Sequence, residues 1–186
     1  MMSSTASAAA PRSTPIPLIV DGHVHFYGCH SLARFLDAAV DNLRRIGAAA
    51  CHGRSDALPC LLMTESARDD AFARLSSGRM ALPPGWTMLR QPCRASLHLA
   101  RDGGGELRII AGRQVATAER LEVLSIGSDT SVADGRPIAE TISRVREAGA
   151  FPVIPWGFGK WWGRRGQIVR SVLEHESPEL LSIGDN

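Results

Sequence analysis

The 186-residue chain contains no apolar run approaching the roughly 18 residues of a membrane-spanning helix, so no membrane span is expected. Its four cysteines, Cys29, Cys51, Cys60 and Cys93, form no Cys-x-x-Cys pair, which argues against a zinc knuckle or a dithiol redox motif. Cys60 sits inside an apolar strand-like run and reads as a buried thiol. Reduced cysteines, and with them a cytoplasmic protein, are therefore the expectation. Charge of one sign is also scarce. A formal charge of +2 gives no reason to expect nucleic acid or an anionic membrane as a partner. There is no internal repeat. The opening stretch, residues 1–17, is rich in Ala, Ser, Thr and Pro but has neither the basic start nor the continuous apolar core of a secretory signal; it reads as a disordered tail.

What remains has the balance of an ordinary globule, 44% hydrophobic and 22% charged, and residues 18–186 suit one domain with a substantial core. The sharpest chemical signal is Leu18-Ile19-Val20-Asp21-Gly22-His23-Val24-His25-Phe26-Tyr27, an apolar strand running into Asp-x-His-x-His. Side chains alternate along an extended chain, so Asp21, His23 and His25 should share one face, with Leu18, Val20, Val24 and Phe26 on the other. Two imidazoles at i and i+2 can converge on one cation, and a carboxylate behind them can fix their tautomers. Six histidines would produce a His-x-His pair by chance about 0.2 times in this length, so the context carries more weight than the pair. The competing reading is a pair of solvated or structurally hydrogen-bonded histidines.

Helical spacing of Leu32, Phe35, Leu36, Ala39, Leu43 and Ile46 predicts a helix capped by Ser31 and closed at Gly47. Residues 48–56 read as a loop, and Leu58 to Thr64 as an all-apolar strand. Ser66 and Asp69 should open a short helix ending near Ser76. Three short strands, at 86–90, 95–101 and 106–111, suggest an antiparallel insertion, with Gly103-Gly104-Gly105 as a tight turn. Residues 114–117 and 121–127 follow as strands, and a helix runs from Pro137 to Gly149. A strand at 151–156, a glycine-rich basic loop at 157–166, a helix at 167–174 and a strand at 180–183 complete the chain.

Two carboxylates end apolar strands, Glu65 and Asp185, and both are candidates to join His23, His25 and Asp21 around a zinc, manganese or iron ion. The alternatives are a helix-capping role for Glu65 and a frayed terminus for Asp185. In the basic loop, Lys160, Arg164 and Arg165 precede a helix amino end and suit a phosphate or carboxylate, although the spacing is not that of a Walker loop. The alternative there is tryptophans packed on the fold and cations solvated. His52, His98 and His175 lack partners at ligand spacing, and His30 reads as a surface or capping residue.

Asp21, His23 and His25 at the end of the first strand resemble the signature of the amidohydrolase and PHP (polymerase and histidinol phosphatase) metal-dependent hydrolases. Residues 111–124 and 152–157 resemble later PHP segments in order. The resemblance implies an α/β fold: an incomplete (β/α) barrel of PHP or TIM type, broken by the antiparallel insertion. It also implies divalent-metal hydrolysis of a small anionic substrate such as a phosphoester, with Glu65 and Asp185 as catalytic acids and Lys160, Arg164 and Arg165 binding substrate. Where the family implies a metal-binding glutamate this chain has Gln114, and where a histidine often follows the later strand it has Trp156. About five α/β strands are present against seven or eight in a closed barrel. These departures favour a rival reading, a catalytically degenerate PHP-like binding or interaction protein. An uncovered final strand further suggests a homo-oligomer.

Overall fold

A computed structural model of the protein describes residues 16–50, 57–157 and 159–184; of 90–92 the backbone alone is described. The expected disordered tail thus lies outside the described residues up to position 15, as do most of the 48–56 loop and the terminal Asp185. Strand β1 (Leu18–Val24) leads into helix α1 (Leu32–Ala50) and strand β2 (Leu58–Met63), which pairs parallel with β1. Leu36, Val40, Leu43 and Gly47 form the buried stripe of α1. Gly47 does not end the helix. It lies one turn beyond Leu43 and packs on Ile19, where a Cβ would stand 3.7 Å from the Ile19 side chain, so packing overrides its stop signal.

Helix α2 (Ala71–Ser76) follows, then β3 (Trp86–Cys93), β4 (Ser96–Arg101) and β5 (Glu106–Ile110). Strand β4 pairs antiparallel with both β3 and β5, and β5 returns to lie parallel beside β2. The result is a five-stranded sheet in the order β1-β2-β5-β4-β3. One face carries Leu61, Met63, Leu97, Leu99, Leu107 and Ile109, packed against α1 and α2 to form the larger core.

The second sheet has four strands in chain order: β6 (Gly112–Ala116), β7 (Glu122–Ile126), β8 (Phe151–Pro155) and β9 (Ser182–Gly184). Helices α3 (Ile138–Glu147) and α4 (Gly163–His175) cover one face, closing a separate core around Leu121, Val123, Ile142, Val145, Ile154 and Val169. A parallel bridge between Glu65 and Arg113 joins the two sheets among the described residues, and Ala111 carries the chain directly from β5 into β6.

This architecture overturns the expected incomplete (β/α) barrel. The protein has two small mixed sheets and four helices among its described residues, with no barrel closure. A (β/α) barrel returns each strand parallel to its predecessor through a crossover helix. Here β6 turns back on β7 through a tight connection with Arg120 at φ 60, and β7 pairs antiparallel with β8 as well. Only the β1-α1-β2 and β8-α4-β9 units keep the parallel crossover. The antiparallel segment in the middle is present as expected, but it builds the edge of a sheet rather than interrupting a barrel. No helix among the described residues is long and apolar enough to cross a membrane.

Candidate metal centre

The pairing of β1 with β2 slips by one residue between Asp21 and Val24: Asp21 stands opposite Leu61 and Val24 opposite Met63. A bulge of this kind turns the following side chains over. Asp21 and Val24 therefore line the same groove of about 430 Å³ between β1 and α1, while His23 and His25 face away from it. Asp21 accepts the backbone N–H of His23 at 3.3 Å instead of standing behind an imidazole. The shared face expected for Asp21, His23 and His25 is thus broken by the bulge, and Asp21 does not fix a histidine tautomer.

His23 and His25 do converge. Their Nε2 atoms lie 3.1 Å apart, and Gln114 Oε1 lies 3.0 Å from His23 Nε2. Backbone bonds assemble the three. Thr64 N–H donates to the Val24 carbonyl, Glu65 N–H to the Gly112 carbonyl, and Gln114 N–H to the Glu65 carbonyl, at 2.8, 3.2 and 2.9 Å. The ends of β1 and β2 are thereby held against β6. Gly112 makes this approach feasible: a Cβ there would overlap the Met63 carbonyl oxygen and come within 2.8 Å of the Ser125 carbonyl. Thr64 Oγ1 donates to the Val24 carbonyl and lies 3.5 Å from His25 Nε2. Burial, followed by the charge of His23, lowers the pKa of His25, which favours the neutral imidazole that a cation requires.

His23 Nδ1 is buried without a hydrogen-bond partner among the described residues. With the proton on Nε2, Nδ1 is an orphaned acceptor; with the proton on Nδ1, Nδ1 is an orphaned donor and the Nε2 lone pair faces His25 Nε2 and Gln114 Oε1. Neither tautomer satisfies the cluster. The second arrangement leaves the Nε2 lone pair of His23 available to a cation, and two imidazoles with an amide oxygen are acceptable donors for a divalent first-row ion. The residues present therefore fit such an ion, though the charge-neutral set is unusual. Among the described residues no three His, Cys, Asp or Glu side chains gather around a common point. The third polar atom at this point is the amide oxygen of Gln114. Sequence reasoning placed that residue at a ligand position but discounted it for lacking a charge.

Glu65 is only 2% exposed and turns away from the histidines. Its Oε1 accepts the Phe72 N–H at 2.8 Å, at the start of α2, and its Oε2 stands 3.7 Å from Arg113 Nη1. It occupies the helix-capping role. Burial raises its pKa, against the opposing pull of Phe72 N–H and Arg113. The carboxylates whose charges are felt at His25 are instead Asp69 and Glu122. Asp69 accepts a hydrogen bond from Ser66 Oγ at 2.6 Å. Asp185 lies outside the described residues.

Helix α4 begins at Gly163, four residues before the expected start, so Arg164 and Arg165 fall in its first turn. Arg165 donates to the Gly159 carbonyl at 2.9 Å and secures the loop, whereas Arg164 is exposed. Lys160 pairs with Glu122 at 2.7 Å, its stem lying over Gly157. The remaining described histidines are engaged elsewhere or exposed: His98 with Glu106, His175 with the Ser171 carbonyl, and His30 at the surface. Cys60 is buried, and its thiol pKa is pushed up to about 11 by that burial. No protein family, curated protein or solved structure matches this chain.

Proposed function

We propose that the protein binds a divalent cation through His23, His25 and Gln114 and uses it to hydrolyse a small anionic substrate, a phosphoester being the class that best suits the site. One observation carries this reading: His23 Nε2 on β1 lies 3.1 Å from Nε2 of His25, just beyond that strand, and 3.0 Å from Oε1 of Gln114 on β6. A bound divalent ion lowers the pKa of a coordinated water and polarises the scissile group. The chain's own part is to hold the imidazoles neutral, to fix Gln114 through its backbone bond to Glu65, and to offer Lys160 and Arg164 as positive charge for the substrate. Glu65, committed to Phe72 and Arg113, has no part in the chemistry.

A second reading has a specific observation in its favour. The donor set lacks a carboxylate, and the aromatic Trp156, 43% exposed, stands at the end of β8. On that reading the cation, if bound, serves a binding protein without turnover. Metal analysis of the purified chain, paired with an assay of manganese- or zinc-dependent hydrolysis of p-nitrophenyl phosphate, distinguishes the two. The hydrolase reading expects about one ion per chain, lost together with turnover in a His23→Ala/His25→Ala variant. Bound metal with no turnover on phosphomonoesters or diesters supports the binding protein, and a folded chain that takes up no divalent ion refutes the hydrolase and leaves the binding protein standing.

A further inference from the structure

Three neutral donors leave the full double positive charge of a divalent ion uncompensated, and a partly buried site resists an unpaired charge. The question is where a compensating anion comes from. On the antiparallel pair β6–β7, Gln114 stands opposite Leu124 and Ala116 opposite Glu122. Cross-strand partners share a face, so Glu122 lies on the same face as Gln114, as its diagonal neighbour at about 7–8 Å between backbones. The charge of Glu122 is among those felt at His25. Unlike Asp69, which is held by Ser66, Glu122 is occupied by a side chain that could itself take an anion: Lys160 Nζ at 2.7 Å. Both partners are partly exposed, 35% for Lys160 and 22% for Glu122, and a partly solvated pair of this kind breaks at little cost.

We propose that Lys160 and Glu122 form an exchangeable pair that couples the two halves of the site: Glu122 turns from Lys160 to the cation held by His23, His25 and Gln114, and the released Lys160 takes a tetrahedral oxyanion. This deepens the proposed function and rests on it. Cation and anion then bind with positive cooperativity, each strengthening the other by the same factor. No bond is made or broken in the exchange; two ion pairs replace one.

Calorimetric titration of the full chain with zinc, and with sulfate in the presence and absence of zinc, tests the exchange without relying on turnover. Sulfate serves as the tetrahedral dianion because it leaves zinc in solution. Wild type is expected to bind sulfate at least about fivefold tighter once zinc is bound. Lys160→Met, which keeps the stem and removes the charge, should bind zinc about tenfold tighter and lose the sulfate coupling. Glu122→Gln should bind zinc about tenfold more weakly and take sulfate without zinc. Equal or same-direction zinc shifts in the two variants overturn the exchange, as does coupling that survives in Lys160→Met, which would seat the anion on the ion alone. If wild-type zinc binding is intact and lost in His23→Ala/His25→Ala, such results overturn the exchange and leave the metal reading standing. If wild type takes no zinc, both fall.

Discussion

A carboxyl group buried against a helix start with a distant cation is a liability when charged, and Glu65 is in that position. Its pKa is raised by burial, so between its unfolded value, about 4.3, and its folded value the native state holds more protons than the unfolded one. Stability contributed by Glu65 therefore falls as pH rises through that interval, by at most about 1.4 kcal/mol per pH unit for one proton, and is flat above it. His25, with its pKa lowered, acts oppositely: its contribution is lost as pH falls from about 6.5 through the lowered value. The difference between wild type and Glu65→Gln isolates the first effect. The amide still accepts the Phe72 N–H, so urea unfolding at several pH values should show a folded variant whose stability no longer declines over the Glu65 interval. A variant with the wild-type pH profile would show that Glu65 titrates normally. At this scale the sequence was half legible. The i, i+2 spacing brought His23 and His25 together, but no local signal revealed the slip in register that turned Asp21 to the other face. Glu65 shows the same limit: a carboxylate ending a strand can face a site or the next helix, and the N–H of Phe72 decided which.

Helix positions followed from apolar periodicity, with errors confined to their ends, because a buried stripe is written in consecutive residues. Strand direction is not. Whether β7 runs parallel or antiparallel to β6 depends on a five-residue connection and on the partners available, so an alternation of strands and helices suggested a barrel that the chain does not form. What the elements accomplish at the site depends on one approach, that of β6 to the end of β2. Gly112 permits it, since a methyl group would collide with two backbone carbonyls that have no freedom to move aside. Gly112→Ala is expected to destabilise the protein by about 1–3 kcal/mol in urea unfolding, the cost of overpacking, and to weaken divalent-ion binding by withdrawing Gln114 from His23. Neutral stability together with unchanged ion binding would show that β6 can shift without consequence, and the argument from close approach would fail.

The molecule as a whole is two cores joined along a narrow seam, and the candidate site lies on that seam. His23 and His25 belong to the sheet covered by α1 and α2, whereas Gln114, Glu122 and Lys160 belong to the half covered by α3 and α4. Among the described residues, the interactions that cross between them besides the continuous chain at Ala111 include the paired backbone bonds of Glu65 with Gly112 and Gln114, the Glu65–Arg113 ion pair at 3.7 Å, the Arg113 bond to the Asp69 carbonyl at 2.6 Å, and the Gln114 contact with His23. Each core is small, so neither half alone buries much apolar surface, and separate unfolding of either would also break the bonds that cross between them. A single cooperative transition is therefore expected. Leu36→Ala, fully buried in the first core, should cost about 2–5 kcal/mol. It should shift the urea midpoint read by the buried Trp86 and the midpoint of total helicity by the same amount, although α3 and α4 lie in the other half. If Trp86 moves while much of the helical signal unfolds at its wild-type midpoint, the halves fold independently. The site would then be a contact between two separately stable units, and divalent-ion binding would be expected to persist only below the lower of the two urea transitions.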